Sequence, residues 1–302
     1  MEWFSNRYRI PNKQNHDLTT VSLGMFNRVK FDHSAVNHSA VVLALIISPF
    51  FSTLSVAAAE LSTETLHQEH SHQIIEVNRA NSDITIDGIP SESDWQQAKW
   101  HPIDQMIIGP AISADDFSGQ YKLLWRENKL FLLAEIIDDV LFDQTADPTV
   151  LYWDDDTVEV FLDEDASGGE HQFNHNAFAY HVALDRQVAD FSTLKQAMTF
   201  NEHIETVWTR DPINPKKIYW EMAIHIFPDS YDDSLDAFAH NQVSPITLTA
   251  GKVMGFMLAY CDNDGSKQRE NFIGSHPIKA VDGDMNRGYK SADVFGKIKL
   301  IK

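Results

Sequence analysis

The feature that most constrains the fold is a series of short segments in which apolar and polar residues alternate. Eleven such segments follow residue 73, and most are bounded by Asp, Asn, Gly or Pro. A period of two is typical of half-buried strands, and the bounding residues are typical of turns. The segments are IIEV, DITIDG, QYKLLWR, KLFLLAEII, DTVEVFLD, AFAYHVALD, QVADF, IETVWT, IYWEMAIHIF, GKVMGFMLAY and DVFGKIKLI. They predict an all-β chain, an antiparallel β-sandwich of the jelly-roll or immunoglobulin-like type.

Two local features add to this prediction. KLLWRENKLFLL predicts a hairpin that turns at Glu127 and Asn128. SESDWQQA predicts one helical turn, with Ser91 or Ser93 as its cap and Trp95 packed inward. Helical structure is therefore expected to be minor.

The N-terminal region has the pattern of an export signal. VVLALIISPFFSTLSV, at 41–56, is apolar and is followed by Ala57, Ala58 and Ala59, which is the pattern of a signal peptide with a small-residue cleavage site. We predict an export segment over 1–59, a polar linker over 60–73 and a single domain over 74–302, in a periplasmic or secreted protein. An uncleaved membrane anchor is the alternative, although Pro49 and four hydroxyl residues make a poor bilayer span.

Charge and cysteine content narrow the possible partners. The formal net charge is −20 at pH 7, and Cys261 is the one cysteine. A surface of that sign repels phosphates, which excludes nucleic acid and anionic lipid as partners. A single cysteine cannot form an intramolecular disulfide, so a domain of this size must rely on its core or on bound metal. Divalent cations and neutral polar molecules remain as possible ligands.

The stretch LYWDDDTVEVFLDED, residues 151–165, places Trp153 beside three aspartates. Three adjacent carboxylates are costly to bury, so this end of the strand is expected to lie near solvent, with a half-exposed indole. Such an indole is either a stacking platform for a pyranose or a ring folded over the core edge.

Along the following strand, alternation predicts that Val158, Val160 and Leu162 face the core. Thr157, Glu159, Phe161 and Asp163 are then expected to face outward. Glu159 would lie within reach of a ligand resting near Trp153, and its two oxygens can accept two hydroxyl donors. A solvated outer-face residue is the alternative for Glu159.

Six segments, in order and spacing, carry a resemblance to a known family. They are DITIDGIPSESDW, KLLWRENKLFLLAEIIDDVL, YWDDDTVEVFLDED, AYHVALD, GFMLAYCDNDGSKQR and SADVFGKIKLIK. Over residues 75–302 the chain resembles the family 9 carbohydrate-binding modules. The resemblance implies a β-sandwich that binds the reducing end or short chains of glucan- or xylan-type sugars, contains structural calcium and serves carbohydrate catabolism.

The resemblance also implies which residues would bind the sugar. The family holds one sugar ring between two aromatic rings, and these positions fall on Trp153 and, by spacing to Phe295, on Tyr289. Tyr289 stands where the best-known members carry tryptophan, which implies weaker stacking.

Three polar positions complete the implied site. Glu159 matches the family glutamate of the acidic strand. His181 stands where other members place an arginine, which bears on which sugar is bound. Arg269 matches a basic residue of DNDGSKQR, with an ordinary surface charge as its alternative.

Acidic residues at strand ends suggest a metal. Asp138 and Asp139, Asp163 and Asp165, and Asp262 to Asp264 each end a predicted strand. Oxygen ligands gathered at loop ends suit Ca²⁺. We predict a structural calcium bound by Asp138 together with Asp163 or Asp165.

Two other functions stay open. A glycoside hydrolase would need two carboxylates with separated pKa values, whereas the acidic groups appear together in loops. A non-covalent haem sandwich would need one methionine and one histidine as ligands; the candidates are Met198, Met222, Met254, Met257, His181 and His225. We favour a monomeric, non-catalytic protein that binds a mono- or oligosaccharide and acts with a separate glycoside hydrolase or uptake system.

Overall fold

The computed structural model describes residues 74–233 and 243–302. The predicted export segment, 1–59, and linker, 60–73, lie outside the described residues. No helix in the described ranges is long and apolar enough to span a membrane. The strands are β1 Ile75–Arg79, β2 His101–Ile103, β3 Gln105–Ile108, β4 Phe117–Arg126, β5 Lys129–Asp138, β6 Thr157–Asp163, β7 Phe178–Ala183, β8 Val188–Phe191, β9 Ala197–Thr199, β10 Ile204–Arg210, β11 Lys217–His225, β12 Val253–Asp262, β13 Asn271–Gly274 and β14 Gly296–Leu300.

The strands form two layers joined by β1. The first layer runs in the order β9-β8-β7-β6-β12-β14, with β13 and β3 extending from β12, and the second runs β10-β11-β5-β4 with β2 beside β4. β1 pairs in parallel with β14 through Ile75–Val77 and with β4 through Asn78 and Arg79. The remaining pairs are antiparallel. The predicted β-sandwich is confirmed, with β1 as a parallel exception.

The main core lies between the two layers. Val158, Val160 and Leu162 of β6 pack in the same buried cluster as residues of β4, β5 and β11, among them Leu132 and Trp220. This confirms the inward face predicted for β6. Burial of the facing apolar surfaces is the main stabilisation of such a sandwich.

The outer face of the second layer is covered as well. Ile84 and Trp95 of the segment before β2 pack on Leu124 and Phe131. Glu221 of β11 is fully buried beneath this cover, where it accepts hydrogen bonds from Gly88 N at 2.9 Å and from Trp95 Nε1 at 3.1 Å. The segment DITIDG, predicted as a strand, is therefore a non-strand cover whose backbone bonds to a side chain.

A second covering segment, residues 275–295, lies on the outer face of the first layer. Phe161 and Met257 pack there with Phe295. A Cβ added at Gly288 would come within 2.8 Å of the Phe161 ring, so only glycine lets this loop lie directly on the sheet. The prediction that Thr157, Glu159, Phe161 and Asp163 occupy the outer face is confirmed, but all four are buried there, so the alternative of a solvated Glu159 is wrong.

Local predictions had mixed outcomes. The hairpin is confirmed, because Arg126 pairs with Lys129 across the predicted two-residue turn. Ser93–Gln97 forms a 3₁₀ turn with Trp95 buried, but its N-cap is Glu92 and no side chain caps it. Sequence periodicity missed β2, β3, β9 and β13, because strands of three or four residues are too short to show alternation.

Candidate functional site

A cavity of about 300 Å³ opens on the outer face of the first layer. All five residues predicted to bind a ligand line it: Trp153, Glu159, His181, Arg269 and Tyr289. The other lining residues are Tyr152, Gln172, Ala179, Asp190, Phe191 and Asn286. The fold thus brings the predicted residues together from two strands and three loops.

Glu159 and His181 form the floor of the cavity. They are direct partners across the β6–β7 ladder, which places the two side chains on the same face. His181 Nε2 lies 2.7 Å from Glu159 Oε1. Tyr152 packs edge-on against the His181 ring, with centroids 4.6 Å apart, and so fixes its orientation.

The two nitrogens of His181 face acceptors. Nδ1 lies 3.0 Å from the Ala179 carbonyl oxygen, and Nε2 lies against the Glu159 carboxylate. Neither partner can donate a hydrogen bond unless the carboxylate is protonated. The arrangement therefore suits an imidazolium that carries both ring protons and faces an ionised Glu159.

Arg269 reaches the same carboxylate from the loop between β12 and β13. Its guanidinium donates to Glu159 Oε1 at 3.0 Å and lies 4.3 Å from the centroid of the Phe272 ring. Cys261 Sγ donates to the same oxygen, also at 3.0 Å. Arg269 is thus a partner of Glu159 with only 11% of its side chain exposed, and its reading as an ordinary surface charge is wrong.

Glu159 is ionised although it is only 2% exposed. Burial alone would raise the pKa of Glu159, but the His181 and Arg269 charges outweigh burial and hold that pKa below its usual value. Every hydrogen bond found for this carboxylate within 74–233 and 243–302 goes to Oε1. Oε2 therefore remains as an acceptor for a ligand in the cavity.

Trp153 and Tyr289 form two walls. Both are half-buried, and Trp153 packs edge-on to Tyr152 with centroids 4.9 Å apart. Lys290 Nζ lies 5.1 Å from the centre of the Tyr289 ring. Tyr289 directly follows Gly288, whose carbonyl oxygen lies 2.8 Å from His171 Nε2, so the close-lying loop holds this ring at the cavity.

The three aspartates after Trp153 are buried, which contradicts the predicted solvent exposure. Asp156 Oδ1 accepts from Asn263 N at 2.8 Å, and Asp155 Oδ2 accepts from Thr145 N at 2.9 Å. Backbone N–H groups of neighbouring loops thus replace water around these carboxylates. The aspartates hold the loops that carry Trp153 and Arg269.

Sequence reasoning missed several lining residues, of which Asp190 carries the most chemistry. Its oxygens accept from Ala179 N at 2.8 Å and Phe191 N at 2.7 Å. Burial raises the pKa of Asp190 to about 6, partly offset by these two bonds. Tyr152 could have been found from its place beside Trp153. Asp190 and Phe191 lie in the predicted strand QVADF, but nothing in that pattern shows that it borders a ligand site, and Gln172 and Asn286 lie in segments with no distinctive local pattern.

The predicted calcium ligands do not come together. Asp138 accepts a hydrogen bond from Tyr260 at 2.6 Å, whereas Asp163 pairs with Gly255. These β12 positions are five residues apart, or about 16 Å at ~3.3 Å per residue, so one ion cannot bind both. Asp165 stays near Asp163, with its N–H 3.3 Å from Asp163 Oδ1. The prediction that Asp138 binds one calcium ion together with Asp163 or Asp165 is therefore wrong.

Among the residues that the structure describes, two other groups have metal-like donors. Carboxylate oxygens of Asp116, Asp139 and Asp264 lie within 4.8 Å of one another, but the last two are exposed and Lys216 Nζ stands 3.5 Å from Asp139. Glu159, His181 and Cys261 also fall within that distance. Arg269 lies 3.0 Å from both Glu159 and Cys261, so its positive charge opposes a cation there.

The methionines proposed as haem ligands pack in or against the hydrophobic core. Met222 and Met254 are fully buried in the main core, and Met257 is fully buried beneath the covering loop. Met198 packs against the main core. His181 is engaged by Glu159 and Tyr152.

None of the curated proteins compared with the chain matches it. A family 9 carbohydrate-binding module from Caldicellulosiruptor kristjanssonii in complex with cellotriose is similar, with 21% identity and a TM-score of 0.54 over 76% of this chain and 94% of that one. The module from the same organism in complex with glucose has 20% sequence identity and a TM-score of 0.52, over 74% of this chain and 95% of that one. These likenesses show the fold. Residues 86–302 match the family described as "Carbohydrate family 9 binding domain-like", and the chain belongs to that family.

Proposed function

We propose that the chain binds a carbohydrate by holding one sugar ring between Trp153 and Tyr289, above Glu159. The observation that carries the proposal is the convergence of these residues on one cavity. A pyranose has apolar faces and a polar rim, which suit aromatic walls and a hydrogen-bonding floor. Glu159 Oε2 accepts from the sugar hydroxyls, while His181 and Arg269 keep the carboxylate ionised.

The energetics require both kinds of contact. Burying roughly 100 Å² of sugar on each ring at about 25 cal/mol per Å² supplies ~5 kcal/mol from two rings. Association costs about 4 to 15 kcal/mol, so stacking alone binds weakly. Hydrogen bonds of ~0.5 to 1.5 kcal/mol each, and more to a charged group, bring the Kd to the micromolar to millimolar range.

The ligand class in this proposal is a glucan- or xylan-type saccharide. Family membership supports it, as do the two similar structures, one bound to cellotriose and one to glucose. Export to the periplasm or beyond, a monomeric state, a role in carbohydrate catabolism, and action with a separate glycoside hydrolase or uptake system complete the proposal.

Isothermal calorimetry with glucose and cellotriose tests the proposal. We expect Trp153→Ala to weaken binding by roughly 50-fold or more, the equivalent of ~2.5 kcal/mol of stacking. Trp100→Ala is the matched control, because Trp100 is an exposed indole that stacks on Lys122 and does not line the cavity. Equal binding by the wild type and Trp153→Ala, or no saccharide binding by the wild type, would refute the proposal.

Hydrolysis is a second candidate, favoured by one observation. Two carboxylates line the cavity, and their pKa values are separated, since that of Glu159 is lowered and that of Asp190 is raised to about 6. Both Asp190 oxygens already accept backbone N–H groups, which disfavours proton transfer to a substrate. Release of reducing sugar from glucans or xylans, lost in Glu159→Gln, would establish this candidate instead.

Calcium remains a proposal without an assigned ligand set. The family resemblance suggests it, and the separation of Asp138 from Asp163 removes the predicted ligands. Melting of the full chain with and without a chelator decides whether a bound divalent cation stabilises the fold, since a ligand that binds the folded state raises the melting temperature. An unchanged melting temperature would remove calcium from the proposal.

A further inference from the structure

The cavity is small for a saccharide of several rings. Its volume of about 300 Å³ lies at the lower end of the ~300 to 1,000 Å³ typical of small-molecule pockets. If one ring occupies the space between Trp153 and Tyr289, any further ring must lie over the rim. The side chains of the rim therefore decide whether a longer ligand gains affinity.

One side of the rim carries an exposed aromatic ring, Phe173. It directly follows Gln172, which lines the cavity, and it is 36% exposed. Its ring packs edge-on against Phe191, which also lines the cavity, with centroids 5.5 Å apart. Phe191 in turn contacts Tyr152 at 6.2 Å.

These contacts make one continuous aromatic surface. It runs from Trp153 through Tyr152 and Phe191 to Phe173, inside the cavity at one end and exposed at the other. Trp100 is the other exposed large aromatic of the described ranges, and it does not line the cavity. An exposed ring that is continuous with the lining of a cavity offers a stacking face to a ligand that extends beyond the cavity.

A polar group stands beside the exposed ring. Lys195 Nζ, from the turn between β8 and β9, lies 5.5 Å from the Phe173 ring centre. A lysine ammonium has three donors and a flexible stem, so it can turn aside and donate to a hydroxyl. An apolar ring with a mobile donor over it repeats, outside the cavity, the combination of ring and hydrogen-bonding group found within it.

We propose that Phe173 and Lys195 form a second saccharide subsite, so that the preferred ligand has two or more sugar rings. One ring occupies the cavity and a following ring stacks on Phe173. This inference rests on the proposed function of the cavity. It adds that affinity rises with ligand length and that the increase depends on Phe173.

The test is calorimetry on the full chain with glucose, cellobiose and cellotriose. The wild type is expected to bind cellotriose about tenfold or more tightly than glucose, and Phe173→Ala to remove that advantage while glucose binding stays within about twofold. Phe173→Tyr keeps the ring and should retain the advantage. Ile213→Ala, which removes an exposed side chain outside the cavity lining, should change nothing.

The possible results of this test distinguish failure of the Phe173 subsite from failure of sugar binding in the cavity. Loss of glucose and cellotriose binding by the same factor in Phe173→Ala would show that Phe173 only supports Phe191, and would overturn the subsite. Unchanged cellotriose binding in Phe173→Ala would overturn it too, while leaving the cavity as a sugar site. A wild type that binds none of the three saccharides would overturn both proposals.

Discussion

Two buried carboxylates near the start of β6, Glu159 and Asp156, have different partners, and their charges differ as a result. Glu159, at the cavity floor, faces the cationic groups of His181 and Arg269, and its pKa is lowered. Asp156, three positions earlier, lies near Asp138, and burial followed by that like charge raises its pKa to about 9. Burial is similar in both places, so the partners decide the charge.

The difference in charge between Glu159 and Asp156 indicates which kind of ligand suits the surroundings of each carboxylate. An ionised carboxylate with its positive partners already bound has no need of a cation, and its remaining oxygen suits neutral donors such as hydroxyls. Asp138, Asp156 and Asp262 have mainly each other and backbone donors, and their raised pKa values of about 6, 9 and 7 favour a proton. Three variants test this contrast, and a fourth tests the aromatic wall of the cavity.

The largest expected effect is on stability, from Arg269→Ala. Removing one partner of a buried ion pair typically costs about 3 to 5 kcal/mol, because the other charge stays buried. We expect a loss of that size in the free energy of unfolding, measured by urea denaturation. Tyr260→Phe, which removes one hydrogen bond to Asp138 in the other group, should cost only about 1 kcal/mol. Equal losses in the two variants would contradict the contrast.

Glu159→Gln should act mainly on binding. The amide keeps the shape but loses the charge, and a hydrogen bond to a charged group contributes about 1.5 to 3 kcal/mol. We therefore expect glucose affinity to fall roughly 10- to 150-fold in calorimetry. Cys261→Ala, which removes one weak donor to the same carboxylate, is the control and should change affinity far less. Unaltered glucose affinity in Glu159→Gln would mean that the carboxylate does not touch the sugar.

Asp156→Asn should change the pH dependence of stability. An acid whose pKa is raised on folding binds its proton more tightly in the folded state, so its contribution to stability falls as pH rises from about 4, its unfolded pKa, to about 9. In chelator-treated buffer, we expect Asp156→Asn to gain stability relative to the wild type between pH 6 and pH 9. Glu159→Gln should show no such gain, since Glu159 stays ionised throughout. A constant difference between Asp156→Asn and the wild type would refute the raised pKa.

Tyr289→Trp carries the smallest expected effect. An indole offers a larger face to the sugar than a phenol, so affinity should rise by about two- to fivefold. Calorimetry with glucose measures it, with Trp153→Tyr expected to lower affinity by a similar factor. Weaker binding in Tyr289→Trp would indicate that the phenol hydroxyl, rather than the ring face, contacts the ligand.

Local sequence pattern and the family resemblance were enough to predict the β-sandwich and many of the residues that line the cavity. Alternation along β6 placed Val158 in the core and Glu159 on the opposite face, and the family resemblance placed Trp153 and Tyr289 at one site. Burial of the outer face could not be read from β6 itself, because its cover comes from residues 275–295, more than a hundred positions away.

The same limit explains why the predicted calcium ligands do not come together and why the pairing of Arg269 with Glu159 was not predicted. Asp138 and Asp163 both end strands, but a sequence does not show which end of the sandwich each strand reaches. Arg269 pairs with Glu159 only because Asp154 and Asp156 hold its loop, through bonds to Arg269 N at 3.3 Å and Asn263 N at 2.8 Å. Such long-range contacts depend on tertiary structure, which periodicity does not report.

The most direct measurement is a crystal structure of the protein with cellotriose bound. We expect one sugar ring between the Trp153 and Tyr289 side chains, with a hydroxyl within hydrogen-bond distance of Glu159 Oε2. A saccharide bound elsewhere on the sandwich, with the space between these two rings occupied only by water, would contradict the proposed site.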